Sequence, residues 1–268
     1  MPEELAIRKT YKLYINGQFP RSESGRYFTA QDQKGKTLAH LCLASRKDFR
    51  DAVVAARSAQ KGWSTRTAFN RGQILYRIAE MLQGRAQQFI DELALQEVLP
   101  GDAEFQVRES IDRLVYYAGW CDKYSALFSS VNPVTGSYFN FSVPEPSGVV
   151  ALIAPQHDGL LGLISVLAPC IAGGNTCVAL ASQAKPLCAI TLAEVLNSSD
   201  VPAGVVNLLT GSLQELAPFL GNHMDVNAVV CCEADAALLR QLQELSAENV
   251  KRMIAYETVN WHLPSGAS

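Results

Sequence analysis

With 268 residues, 48% of them hydrophobic and 18% charged, the chain can form one large globular domain or two small ones and lacks the bias of a disordered segment. Its net charge of -3, with Lys and Arg scattered rather than massed, gives no electrostatic basis for a nucleic-acid partner or an anionic membrane surface. The sequence opens without a signal-type apolar core and contains no run long enough to span a bilayer, so a soluble cytoplasmic protein without membrane insertion is expected.

In chain order, YKLYINGQF (11 to 19) alternates apolar and polar residues and turns at Asn16-Gly17, which predicts a short strand and hairpin. Phe49, Val53 and Ala56 recur at helical spacing from Asp48 to Lys61, with Ser45 as the capping residue, and Ile74, Ile78 and Leu82 do the same from Asn70 to Leu82. A third helix is expected over Phe89 to Val98, before Pro100. A fourth is expected over Ala103 to Tyr124, with Val107, Ile111, Leu114 and Ala118 on one face. The first half therefore reads as largely helical.

Next comes VTGSYFNFSVPEP (134 to 146), where Tyr138, Asn140 and Ser142 alternate with Phe139, Phe141 and Val143. An extended segment with an apolar face and no neighbouring strand to pair with is a candidate to pack on another chain. Beyond it, strand-like runs at 147 to 154, 175 to 180, 204 to 210, 226 to 232 and 251 to 256 alternate with helix-like stretches near 160 to 172, 186 to 198, 213 to 221 and 235 to 247. This alternation, with near-continuous apolar strands, predicts an α/β fold: an open parallel sheet of about five strands covered on both faces.

The residue types that could carry chemistry are few. Cys42, Cys121, Cys170, Cys177, Cys188, Cys231 and Cys232 lie mostly in apolar stretches; their odd number, with no CxxC or Cys/His spacing, predicts buried thiols and no metal site. Cys170 follows a proline in a helix and reads as packing. His157 and Asp158 stand where the first strand of the second half gives way to a helix, the usual place for chemistry in such a sheet, but Asp158-Gly159 also reads as a solvated turn. Gly173-Gly174-Asn175 lacks the GxGxxG spacing of a phosphate loop and reads as a tight helix-to-strand turn.

The succession YINGQF, AVVAARSAQKGWS, RLVYYAGWCDK, EPSGVVALIAP, AGGNTCVAL, PAGVVNLLTG and NVKRMIAY resembles the aldehyde dehydrogenase superfamily over nearly the whole chain. More narrowly, the chain resembles the C-terminal, second such half of the family-sixteen members, which carry two modules in one polypeptide. The resemblance implies a single module with a Rossmann-like sheet. An N-terminal β element and helices would occupy 1 to 133, an oligomerisation ribbon 134 to 146, the dinucleotide-type fold 147 to 257, and a tail 258 to 268. It further implies that the catalytic lobe is absent and that the chain belongs to a longer two-module protein.

Where the family carries its chemistry, this sequence departs from the pattern. Gln156 and His157 follow Pro155 where the family has a Trp and the Asn whose amide holds the oxyanion. Leu180 and Gln183 replace the Lys and Glu that bind the adenosine ribose. Cys232, Glu233 and Ala234 occupy the Gly-Ser-Thr turn that lets backbone approach a pyrophosphate, so that a carboxylate stands where an anion should bind. Tyr256 takes the place of the general-base Glu, and Glu257, one residue on, falls on the opposite face if the strand continues.

Two functions follow as expectations. The first is a non-catalytic module with no cofactor, its NAD binding lost, that dimerises through Tyr138, Phe139, Phe141 and Val143 or docks other proteins. The alternative is residual NAD(P) binding, or NAD-dependent aldehyde oxidation completed by a partner module.

Overall fold

The computed structural model describes residues 9–233, 235–257 and 259–263. The N-terminal β element is larger than expected. β1 (Thr10–Tyr11) runs parallel to β3 (Thr37–Cys42), which also pairs antiparallel with β2 (Tyr27–Gln31). The Asn16-Gly17 turn forms as read: both residues adopt positive φ, and Ile15 and Gln18 exchange backbone hydrogen bonds of 3.0 and 2.9 Å. Leu13 N also donates to Pro20 O at 3.0 Å across the turn, while β1, just before it, pairs with β3. Strands β2 and β3 add to a first half that is otherwise largely helical, as expected.

Helix α1 (Arg46–Ser64) starts at Ser45 through a capping box. Ser45 Oγ accepts from Asp48 N at 3.3 Å while Asp48 Oδ2 accepts from Ser45 N at 2.8 Å. Helices α2 (Ala68–Gly84), α3 (Ala86–Leu95) and α4 (Pro100–Trp120) follow. The third ends earlier than its periodicity suggests, because Glu97 turns left-handed at φ 64°. The fourth starts at Pro100, a favoured first-turn residue, and stops before the short α5 (Tyr124–Phe128).

The second half contains β6 (Val149–Ile153), α6 (Leu161–Ala172), β7 (Thr176–Leu180), α7 (Leu187–Asn197), β8 (Val206–Leu209), α8 (Leu213–Asn222), β9 (Ala228–Cys231), α9 (Ala236–Ala247) and β10 (Arg252–Ala255). The five strands pair in parallel in the order β10-β9-β6-β7-β8. Residues along β6 divide between two cores. Val149, Ala151 and Ile153 pack with α1, α8 and α9, while Val150 and Leu152 pack with α2, α4, α6 and α7. Both faces are thus covered, which is why the strands lack polar alternation. The N-terminal element joins the β8 edge, where Tyr14 and Leu208 exchange hydrogen bonds of 2.9 and 2.8 Å.

Glu92 of α3 fastens β1 to α7: its Oε1 accepts from Tyr11 Oη at 2.8 Å and from Thr191 Oγ1 at 2.6 Å. Its Oε2 is buried without a hydrogen-bond partner among the described residues. Burial pushes this carboxyl above its ordinary value of 4.5, opposed by the Thr191 and Tyr11 hydrogen bonds. Between 4.5 and its folded value, the folded chain therefore holds a proton that the unfolded chain releases. The contribution to stability is full below 4.5 and falls as pH rises through the folded value. Urea midpoints of wild type and Glu92→Gln, compared from about pH 4 to about pH 8, should show a wild-type decline that the variant lacks. Parallel curves would place the carboxyl at its ordinary value.

The ribbon differs from its sequence reading in one respect. β5 (Asn140–Ser142) has a partner nearby, the antiparallel β4 (Ser130–Asn132), with Val131 opposite Phe141. The expected boundary at 134 left out this strand, whose polar-apolar-polar triplet is too short to register as a period. The hairpin's large side chains are exposed: Tyr138 by 83%, Phe139 by 73%, Phe141 by 57%, Val143 by 54% and Val131 by 70%.

Candidate functional site

The strand order reverses between β6 and β9: β7 and β8 extend the sheet to one side of β6, and β9 and β10 to the other. Ligands of open α/β sheets bind in the crevice that such a reversal leaves at the carboxyl ends of the strands. Here the loops that border the crevice are tied to one another.

Gln156 is the centre of the tie. Its backbone N donates to Glu233 Oε1 at 2.9 Å, and so the carboxylate after β9 reaches across to the loop after β6. Its side-chain Oε1 accepts from Gln183 N at 2.7 Å and its carbonyl accepts from Ser182 Oγ at 2.8 Å, binding the same loop to the one after β7. Ser182 Oγ in turn accepts from Lys185 N at 2.8 Å. Burial raises the Glu233 carboxyl pKa, against the Gln156 amide and the His157 charge, which lower it.

The start of α9 is likewise satisfied from within: Asp235 Oδ1 accepts from Ala237 N at 2.8 Å and Leu238 N at 3.0 Å. These amides are among the donors that a helix N-terminus offers to an anion, and a carboxylate of the chain already holds them. The sequence reading passed over Asp235, although an Asp directly before an apolar helix is a capping signal.

Of the positions singled out from the sequence, Gln183 and Glu233 meet at Gln156, whereas Leu180, Tyr256 and His157 do not join them. Leu180 is buried in the core with Ile153 and Leu209. Tyr256 lies just past β10, its ring at 5.9 Å from that of Trp261. Because the strand ends at Ala255, the opposite-face argument for Glu257 does not apply. Ala234 lies outside the described residues. His157 is exposed, but Asp158 is buried, which corrects the solvated-turn reading: its Oδ1 accepts from Gly162 N at 2.9 Å and caps α6. Burial raises the Asp158 carboxyl pKa, against that hydrogen bond and His262, whose Nε2 lies 3.6 Å from Oδ2.

Sequence reasoning missed Arg113 and the segment after β10. The buried Arg113 of α4 donates to Ser165 Oγ, to Trp261 O and, at 3.1 Å, to Leu263 O. His262 stacks on Phe105 at 5.2 Å. Residues 259–263 are thus seated across α4, where the sequence suggested only a tail; Thr258 and 264–268 lie outside the described residues. An Arg among apolar helical positions was the available signal, but its carbonyl acceptors lie 148 and 150 residues away.

Several thiols are held protonated by burial. Burial pushes the Cys121 and Cys231 thiols up to about 11 and raises Cys188 and Cys232 as well, which leaves little thiolate at neutral pH. The Cys231 and Cys232 thiols are both free, and β9 ends at Cys231. Among the described residues there is no group of His, Cys, Asp and Glu suited to a metal ion and no helix long and apolar enough to cross a membrane.

An open parallel sheet with a reversal crevice defines the dinucleotide-type α/β class. The aldehyde dehydrogenase family profile matches residues 19–257, and the chain belongs to that family. It is 32% identical over 259 residues to DhaS of Bacillus subtilis (strain 168), whose name carries the same assignment; the match covers 93% of this chain and 51% of DhaS. It is 29% identical over 259 residues to the mitochondrial 10-formyltetrahydrofolate dehydrogenase of Mus musculus, covering 93% of this chain and 28% of that one. The solved NAD+ complex of a Bacillus cereus aldehyde dehydrogenase superposes with a TM-score of 0.85 at 26% identity, over 92% of this chain and 50% of that protein. The chain spans about half the length of DhaS and of this solved structure, and less of the mouse protein.

Proposed function

We propose that this chain is a non-catalytic aldehyde-dehydrogenase-like module that works in assembly, as a homodimer or as a docking platform for other proteins. We place it within a longer two-module protein, in the position of the second module of family-sixteen members. The observation that carries the reading is the carboxylate of Glu233 set across the crevice onto Gln156 N, together with Asp235 on the first amides of α9. A pyrophosphate entering there would meet two carboxylates and find its backbone donors taken. The ribose would find Leu180 and Gln183 in place of a cation and a carboxylate, losing about 1.5–3 kcal/mol for each charge-assisted hydrogen bond. NAD does not fit these residues.

The test is a calorimetric titration with NAD into the millimolar range. No saturable heat is expected. Saturable binding at micromolar NAD would overturn the reading in favour of the alternative, residual NAD binding or aldehyde oxidation completed by a partner module.

The assembly role is supported by the hairpin of β4 and β5, where the rings of Phe139 and Phe141 lie 5.4 Å apart and stand exposed. Contiguous exposed rings on a projecting hairpin are costly unless covered. Light scattering should detect a dimer that Phe139→Ser together with Phe141→Ser dissociates. A dimer that survives both changes removes the hairpin from the account.

A further inference from the structure

On the α6 face of the sheet, alongside β9 and β10, lies a cavity of about 500 Å3, within the range of small-molecule sites. None of the residues that tie the crevice lines it. Its walls are the rings of Tyr116, Tyr117, Trp120, Tyr256 and Trp261, closed by aliphatic positions such as Val230 and Ile254.

Two polar side chains of the wall, Asn175 and Ser165, are already engaged. Asn175 Oδ1 accepts from Gly148 N at 3.1 Å and its Nδ2 donates to Cys170 O at 3.1 Å. Ser165 Oγ donates to Leu161 O at 2.5 Å and accepts from Arg113. The interior thus offers a guest mainly rings and methyl groups, with tyrosine hydroxyls and Ser147 among them. Arg252 is different. It stands exposed at the head of β10, an edge strand, and its guanidinium makes no hydrogen bond or ion pair among the described residues. One uncommitted cation beside an apolar chamber defines a complementary ligand: an apolar body with a single anionic head. A guanidinium fork matches a carboxylate in two parallel hydrogen bonds.

We propose that this cavity binds an apolar monocarboxylate, an alkyl or aryl acid whose body lies against the rings of α4 and Trp261 and whose carboxylate meets Arg252.

The experiment is calorimetric titration of the full chain with decanoate, and with decanol as the neutral counterpart. Decanoate should bind saturably, with decanol about tenfold weaker or undetectable. Arg252→Gln should weaken decanoate about tenfold and leave decanol as it was. Ile254→Trp, which fills the chamber from the edge strand, should remove both. Arg252 and Ile254 are both exposed, so the fold should survive, as an unchanged thermal transition would show. If Ile254→Trp alters that transition, Arg252→Glu, which turns attraction into repulsion at the mouth, takes its place and should abolish decanoate binding. Any one of three results overturns the proposal: no saturable heat with decanoate, equal affinity for acid and alcohol, or undiminished decanoate binding by Arg252→Gln.

Discussion

Replacing Arg113 by Met will lower stability by about 2–4 kcal/mol and release residues 259–263 from α4. Met keeps most of the volume of the side-chain stem, so the substitution isolates the charged head. What is lost is the donor shared by Ser165 Oγ, Trp261 O and Leu263 O. A hydrogen bond to a charged donor contributes about 1.5–3 kcal/mol, and a buried carbonyl left without its partner costs the full desolvation of that group. Asp158, buried nearby and acting on Arg113 through its charge, also loses a favourable field. The urea midpoint should fall with unchanged slope. The fluorescence of Trp261, now 8% exposed, should shift to the red. An unmoved midpoint with unshifted emission would mean that the packing of Trp261 alone holds the segment.

Gly204→Ala is expected to cost about 3 kcal/mol or more, for two reasons that a control separates. The residue has φ +83°, and a Cβ there would lie 2.5 Å from the carbonyl oxygen of Ala55 and 3.1 Å from the Ala59 Cβ. The turn before β8 thus touches the backbone of α1, and neither side can yield without separating helix from sheet. Gly25 has a similar φ of +68° but open space where a Cβ would go. Gly25→Ala should therefore show the backbone strain alone, about 1–2 kcal/mol. Equal losses at the two sites would show that α1 relaxes away from the turn at little cost.

The elements of the second half were legible because a doubly covered parallel strand needs an unbroken apolar run, and Val149–Ile153 and Thr176–Leu180 supply one. The start of α1 was legible for a local reason, since Ser45 and Asp48 satisfy each other within a single turn. Strands β2 and β3 were not. Their residues are mostly half-buried, so neither period stands out, and the core they share with Tyr11 is closed by Leu187 and Ile190 of α7. The Asp32-to-Gly35 turn between them was the readable sign: Gly35 has φ +75° and its N–H donates to Asp32 O at 2.9 Å.

The candidate site divides in the same way. The apolar runs set the strand ends, and the family resemblance singled out Gln156, Gln183 and Glu233 beside them. Neither could tell that the three meet, since each hydrogen bond joins loops 27 or 77 residues apart. Asp158 reads as a turn residue in the sequence and becomes a buried helix cap only when α6 and the segment bearing His262 close over it.

By itself, then, the sequence determined what is local or periodic: the covered strands, the amphipathic helices, the Asn16-Gly17 turn, the capping of α1 and the residue types at each strand end. The tertiary structure alone decided which polar groups meet. It set Glu233 across the crevice, Arg113 beneath residues 259–263, and Arg252 beside an aromatic chamber. The physical reason is range. Periodicity is fixed by neighbours within a turn or a pleat, whereas a buried polar group takes the partner that packing brings to it, however distant in the chain.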